Sequence, residues 1–218
     1  MSLEAPEPFF LPILERRPSR ILQFVTAGHL ESKPGLSNPL RVNKLDEMPC
    51  KSWQDTGMVI REVVAARDQQ AIWAILEPVI RAGETYPLPR DMPRESACAY
   101  WLSAGHEVFV AEEDGEIVGT YFLQANQKGG GAHVANCGYM TAPSARNRGV
   151  ARAMCAHSLE HARQRGFRAM QFNFVVSSNE RAVRLWQKCG FEIVGRVPKA
   201  FLHPTAGFVD AYIMYRQL

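Results

Sequence analysis

The spacing of hydrophobic and polar positions changes period several times along the chain, and each change marks an element. Over 133–140 apolar and small residues run as a strand, with Asn136 inside it. It is followed by Thr141-Ala142-Pro143, where a residue without an N–H cannot continue a ladder. Ala151, Cys155, Leu159 and Ala162 then recur at helical spacing until Gly166, which stops a helix. Alternation returns over 168–175, with Met170, Phe172 and Phe174 on one face and Gln171, Asn173 and Val175 on the other. Asn179 is placed to cap a helix over 180–189 whose apolar stripe is Ala182, Leu185, Trp186 and Cys189. Gly190 closes that helix and Phe191 opens the next strand.

Upstream, 58–64 reads as a strand, and Asp68 begins a helix with Ile72, Ile75, Leu76 and Val79 on one face. Pro78 is expected to kink or end that helix. A second helix over 94–103 carries Tyr100 and Trp101. Strands over 107–112 and 116–124 are joined by Asp114-Gly115, a hairpin turn signal. Gly129-Gly130-Gly131 is a flexible connection to the central strand, and strands over 192–197 and 208–216 complete the series. The predicted order is β-α-α-β-β-β-α-β-α-β-β in a domain over 58–218, with no internal repeat. Residues 1–57 differ: they carry several prolines and short apolar bursts at 9–14 and 21–25 without sustained periodicity. We read them as an extension that packs on the domain and as a candidate part of a subunit interface, hence of a homodimer.

Candidate chemistry concentrates at Arg146-Asn147-Arg148-Gly149-Val150-Ala151, between the central strand and a helix N-terminus. The first amides of a helix have no internal partner and lie at the positive end of its dipole, so an anion is favoured there. Gly149 and Ala151 leave room for a pyrophosphate, while Arg146, Arg148 and Arg152 add positive charge. The alternative is an exposed turn with solvated arginines. A dinucleotide fold of the G-x-G-x-x-G type is disfavoured because the three glycines are missing.

The stretch has the form Arg-x-x-Gly-x-Ala, and the later run from Asn179 to Phe191 follows N-x-x-A-x-x-L-Y-x-K-x-G-F except at Trp186. These two signatures, in this order, resemble those of the GNAT superfamily of acetyl-CoA-dependent N-acetyltransferases. The resemblance implies an α/β fold, a mixed, mostly antiparallel twisted sheet with helices on both faces. It also implies acetyl-CoA held by Tyr139, Met140, Thr141, the loop Arg146, Asn147, Arg148, Gly149, Val150, Ala151 and Arg152, and by Asn179 and Trp186. Residues 136–139 and 172–175 further resemble segments of fungal enzymes that acetylate azetidine-2-carboxylate and proline analogues, where the asparagines matching Asn136 and Asn173 serve acceptor binding and activity. Enzymes acting on phosphinothricin share the Glu-Thr-aromatic feature seen at Glu84-Thr85-Tyr86.

On this basis Glu84 is a candidate base or amine attractor and Tyr86 a pocket wall, the alternative being a capped loop whose tyrosine packs on the core. Asn136 and Asn173 need partners, because a buried unsatisfied amide costs roughly 1–3 kcal/mol; local bonds are the simpler account and acceptor binding the functional one. His203 and Asp210 lie in 201–210, a connection that often closes over the acceptor in this superfamily, and are candidates for a base or an acceptor-binding pair, the alternative being a structural histidine before proline. The family mechanism is direct attack of the amine on the thioester, with a backbone N–H near Met140–Thr141 polarising the carbonyl. The usual general-acid tyrosine aligns with Trp186, whose indole can donate a hydrogen bond but not a proton.

Composition narrows the rest. A formal charge of +3 is too small to argue for nucleic acid or an anionic membrane. With 46% apolar and 22% charged residues the chain has the balance of a globular protein, and no apolar run reaches membrane length. The five cysteines are scattered without a CxxC pair, which argues against a disulfide framework and a metal site and suits a reducing cytoplasm. The expected acceptor is the amine of a small molecule, an amino acid or proline analogue; a protein N-terminus or lysine, or an acetyl-CoA-binding regulatory role, are the alternatives.

Overall fold

The computed structural model describes residues 57–218, so the expectations for the extension, including its apolar bursts and its part in an interface, lie outside the described residues. The chain forms β1 (Val59–Glu62), α1 (Ala65–Ala82), α2 (Arg94–Trp101), β2 (Glu107–Glu113), β3 (Glu116–Ala125), β4 (Val134–Thr141), α3 (Val150–Gln164), β5 (Ala169–Val176), α4 (Glu180–Lys188), β6 (Glu192–His203) and β7 (Gly207–Gln217). This is the predicted order. The strands make one seven-stranded sheet in the order β1-β2-β3-β4-β5-β7-β6. Every pairing is antiparallel except β4 with β5.

Each face of the sheet has its own apolar core. α1 and α2 place Ile72, Ile75, Leu76, Ile80, Ala97, Cys98 and Trp101 against Val108, Val110, Phe122 and Met140. The four aliphatic residues of α1 are almost fully excluded from water, which stabilises the fold by roughly 1.5–3 kcal/mol each. On the other face Ala153, Met154, Cys155, Leu159 and Ala162 of α3 and Trp186 of α4 pack on Tyr121, Cys137, Met170 and Phe172. The close approach of α3 depends on Gly119: a Cβ there would lie 2.7 Å from the Val150 side chain and 3.0 Å from that of Met154. Asp114 and Gly115 both have positive φ, 51° and 81°, as the tight turn between β2 and β3 requires.

Two expectations are corrected. Pro78 does not end α1, which continues four residues further to Ala82 before Gly83 caps it in the left-handed conformation. Pro78 and Ala74 are both solvent-exposed, so the Ala74 carbonyl that loses its helical donor faces water. The segment 201–210 is a hairpin rather than an irregular connection. Phe201, Leu202 and His203 pair with Val209, Phe208 and Gly207, so β6 and β7 run on as a hairpin with only Pro204–Ala206 as its turn. At its tip Leu202 is 65% and Phe208 68% exposed. None of the helices in 57–218 is long and apolar enough to cross a membrane.

Asp68, 2% exposed, is the most buried charge among the described residues. Arg61 grips both its oxygens at 2.7 and 3.1 Å, Arg67 adds a bond at 2.9 Å, and the Val64 N–H at the start of α1 donates at 2.8 Å. Chiefly through Arg61, the carboxyl is held far below the ordinary carboxylate range. Its stabilisation is therefore complete above about pH 4 and is lost as the pH falls further. Asp68→Ala leaves Arg61 with one partner fewer and should cost about 3 kcal/mol in urea unfolding at neutral pH. Asp68→Asn should flatten the fall in wild-type stability below about pH 4. An unchanged acid limb would show that the loss comes from other groups.

Candidate active site

The site begins where the parallel ladder stops. β4 and β5 pair only through Val134 with Ala169 and Ala135 with Met170. Continued in this register, the Gln171 carbonyl would accept from the Cys137 N–H. It accepts instead from Asn136 Nδ2 at 2.8 Å, so a side chain terminates the ladder and the two strands diverge beyond it. β5 also slips against β7 between Phe172 and Val175, which turns Asn173 and Phe174 toward the gap.

Strand parity then decides which backbone groups face the opening. Asn126 donates to the Val134 carbonyl and Ala142 to the Val118 carbonyl, with no slip in between, so the even-numbered residues of β4 bond to β3. Cys137, Tyr139 and Thr141 turn their N–H and C=O groups the other way, into the gap. This corrects part of the expectation: the N–H of Met140 belongs to the β3 ladder, and those of Tyr139 and Thr141 are directed at the cleft. The Tyr139 carbonyl accepts from Tyr86 Oη at 2.9 Å. Gly138 makes room for that contact, since a Cβ there would lie 2.5 Å from the Phe122 ring and 3.2 Å from Tyr86 Oη.

The resulting cavity has a volume of about 490 Å3. One end is bounded by Thr141, Arg146, Asn179 and Trp186, the other by Thr85, Tyr86, Tyr100, Gln124, Asn136 and Asn173. At the first end, Gly149 takes the N-cap position of α3 with φ 85°, and Asn147 is also left-handed at 69°. The first intrahelical bond is Ala153 N–H to the Gly149 carbonyl, so the amides of Val150 and Ala151 precede the helical ladder. Nothing lies within 4 Å of where a Gly149 side chain would start. Arg146 lines the cavity, whereas Arg148 is held by Glu113 at 2.6 Å and Arg152 is exposed on the first turn of α3. Asn179 caps α4 as expected, accepting from the Ala182 N–H at 3.3 Å.

Trp186 is buried against the Tyr139 and Phe172 rings, at centroid distances of 5.0 and 5.1 Å. Tyr139 turns its side chain into the same core, its hydroxyl 2.7 Å from Ser158 Oγ, so only its backbone meets the cleft. Burial pushes the phenols of Tyr86 and Tyr139 far above their ordinary range, and both stay protonated. Burial also pushes the Cys137 thiol up to about 12, which disqualifies it as a nucleophile at neutral pH.

At the other end, where the acceptor was expected, several placements differ from expectation. Glu84 is solvent-exposed and does not line the cavity; Thr85, Tyr86 and Pro87 do, because the loop turns its next residues inward to reach β4. His203 is not brought to the cavity either: its Nδ1 accepts from the amides of Thr205 and Ala206 and so closes the hairpin turn. Asp210 serves the same hairpin, accepting from Arg196 and from the Lys199 N–H. Of the two asparagines, Asn136 is half-buried and Asn173 exposed, so the pair is not the buried couple that the strand pattern suggested. Reading by sequence missed Tyr100, Gln124 and Arg81. Alternation would have placed Gln124 opposite Asn136, as the structure does. Arg81 binds the carbonyls of Arg90 and Met92, and Arg90 Nε the carbonyl of Arg81, so the two arginines pin the loop between α1 and α2.

A chain with this split sheet, free strand edge and helix N-terminus belongs to the acetyltransferase (GNAT) family, whose model matches residues 72–191. It is thus an acyltransferase by class. It is 28% identical over 151 residues to the N-acetyltransferase aca1 of Schizosaccharomyces pombe, covering 62% of this chain and 72% of the relative. It is 33% identical over 113 residues to the L-amino acid N-acetyltransferase AaaT of Escherichia coli, covering 51% of this chain and 68% of that protein. A GCN5-related N-acetyltransferase structure from Kribbella flavida superposes with a TM-score of 0.72 at 39% identity, over 75% of this chain and 99% of the other.

Gly149→Asp tests the anion-binding assignment. It sets a carboxylate beside the first amides of α3 and forces a side chain into a left-handed backbone, a local strain of about 1 kcal/mol. Acetyl-CoA binding by calorimetry should weaken at least a hundredfold while the melting temperature drops only a few degrees. Wild-type affinity in that variant would show that the cofactor's phosphates lie elsewhere.

Proposed function

We propose that the protein transfers the acetyl group of acetyl-CoA to the amine of a small acceptor of the amino-acid class, by direct attack on the thioester. The observation that carries this is the pair of unlike ends of one cavity, joined by a strand edge. The cofactor end offers helix N-terminal amides and Arg146, suited to a pyrophosphate. The free edge of β4 offers alternating donors and acceptors, suited to the amides of a pantetheine arm lying where the next strand would be. Among the described residues that line it, the acceptor end holds no charged side chain, and its polar groups are hydroxyls and carboxamides set among aromatic and aliphatic side chains. The kinship with an L-amino acid N-acetyltransferase supports the acceptor class.

In this reading the Tyr139 or Thr141 N–H polarises the thioester carbonyl and stabilises the tetrahedral oxyanion. Asn136 and Asn173 present amide hydrogens to the acceptor's carboxylate, which neutral donors can bind without a buried countercharge. Each has one Nδ2 hydrogen committed to the protein and one left over. Glu84 does not line the cavity, so the ammonium proton leaves through water in the open cleft. Trp186 packs the core beneath β4 and is not the acid. A thiolate leaving group with a pKa of about 8.5 does not depend on one.

The decisive experiment is turnover with a panel of L-amino acids, proline analogues and short peptides, followed by thiol release. Saturable turnover of free amino acids supports the reading. Activity confined to peptides would move the acceptor to a protein N-terminus, and acetyl-CoA binding without turnover of any acceptor would make the domain a sensor.

Two substitutions refine it. Asn173→Ala should lower kcat/KM for the acceptor roughly ten- to a hundredfold, the value of a charged hydrogen bond of about 1.5–3 kcal/mol, with acetyl-CoA affinity and melting temperature unchanged. Asn136→Ala should do the same and also lower stability by about 1 kcal/mol, because the Gln171 carbonyl loses its donor. Equal losses of stability and cofactor affinity in both variants would mean that these side chains only hold the sheet. Separately, Trp186→Phe should reduce kcat only a fewfold and keep the alkaline limb of the pH–rate profile, because an indole does not titrate. A displaced limb would make Trp186 part of a proton path.

A further inference from the structure

Both candidate acceptor asparagines converge on one residue outside the cavity. The Gln171 backbone carbonyl accepts from Asn136 Nδ2 at 2.8 Å, and its side-chain Nε2 donates to Asn173 Oδ1 at 2.8 Å. Asn173 Nδ2 in turn donates to Asn126 Oδ1 at 2.6 Å. Neither Gln171 nor Asn126 lines the cavity, whereas Asn136 and Asn173 do. A primary amide is nearly symmetric in shape, so an exposed one exchanges its oxygen and nitrogen freely unless its partners distinguish them. Asn136 is distinguished by a backbone carbonyl, which can only accept. Asn173 has no such anchor: its orientation depends on the amides on either side of it.

We propose that Gln171 and Asn126 are positioning residues that set which edge of the Asn173 amide meets the acceptor. Gln171 occupies one lone pair of Oδ1 and Asn126 one hydrogen of Nδ2. In this arrangement the second Nδ2 hydrogen and the second Oδ1 lone pair are the ones left to the acceptor. Inverting the relay exchanges these two positions and places an oxygen where the acceptor's carboxylate needs a donor. A site of this kind discriminates by the direction of its hydrogen bonds, with no net charge to steer the choice. The register slip of β5 at Phe172–Val175 gives the relay its reach, since it turns Asn173 out of the ladder with β7 toward Asn126 at the end of β3. The inference rests on the reading that Asn173 meets the acceptor.

Two isosteric substitutions separate polarity from charge. Asn126→Asp supplies an acceptor where the relay already needs one. Gln171→Glu supplies an acceptor where it needs a donor, and drives Asn173 to invert. Each adds one negative charge directly behind Asn173, so a general repulsion of the acceptor's carboxylate is common to both. We expect kcat/KM for the acceptor to be at least tenfold lower in Gln171→Glu than in Asn126→Asp, carried by KM, with the same acetyl-CoA affinity in both. Gln171→Lys, a donor at the same site, should recover part of the loss. Equal kcat/KM in the two acidic variants, with Asn173→Ala impaired, would overturn the relay and leave the acceptor assignment standing. An unimpaired Asn173→Ala would instead remove the acceptor assignment and the relay with it. If Gln171→Glu melts well below Asn126→Asp and loses cofactor affinity as well, Gln171 is a structural residue and the proposal fails.

Discussion

Neighbouring parallel strands normally use up each other's backbone groups, and here β4 and β5 cease to do so just past Ala135 and Met170. The Asn136 side chain takes the next carbonyl of β5 for itself. From that point one edge of a central strand is left open inside the molecule. A buried strand edge is costly in an apolar setting, yet this one borders a cavity, where water or a ligand can satisfy it. The free N–H groups at Tyr139 and Thr141 follow from the early end of a single ladder.

The two cores keep this opening from collapsing. α1 and α2 bear on one face of the sheet, against β2, β3 and β4, and α3 and α4 on the other, against strands on both sides of the gap. Gly119 lets α3 come close enough for its N-terminus to lie at the end of β4, and Gly138 admits Phe122 and Tyr86 from the opposite side. The absent side chains therefore matter as much as the present ones. Arg81 and Arg90 hold the loop that carries Tyr86 by gripping main-chain carbonyls, so this wall of the cavity is fixed from the backbone outward.

Much of this was legible in the chain because local chemistry dictated it. The helical stripes of α3 and α4, the Asp114-Gly115 turn, Asn179 as a cap and Gly190 as a stop each follow from a few adjacent residues, and each appears in the structure. What sequence could not show depends on distant partners. Nothing near Asn136 says that its amide will meet a carbonyl of the next strand, and nothing near Glu84 says that it will be left in water while Tyr86, the expected pocket wall, turns inward. The hairpin of β6 and β7 was misjudged for a related reason: Pro198, Lys199 and the 203–206 turn look like loop, but the strands resume pairing across a register slip. Pro78 misled because its cost depends on whether the carbonyl it orphans can reach solvent, which is a property of the fold.

The open edge of β4 has a thermodynamic corollary. A molecule laid along it becomes an eighth strand in all but covalent connection, satisfying backbone groups that the polypeptide alone leaves to water. Such a ligand binds the folded chain and has no counterpart site in the unfolded one, so its concentration enters the folding equilibrium directly. At about a hundred times its dissociation constant it would add about 2.7 kcal/mol, a sizeable fraction of the stability of a typical domain. The resistance of this protein to unfolding would then be set partly by the supply of its own cosubstrate.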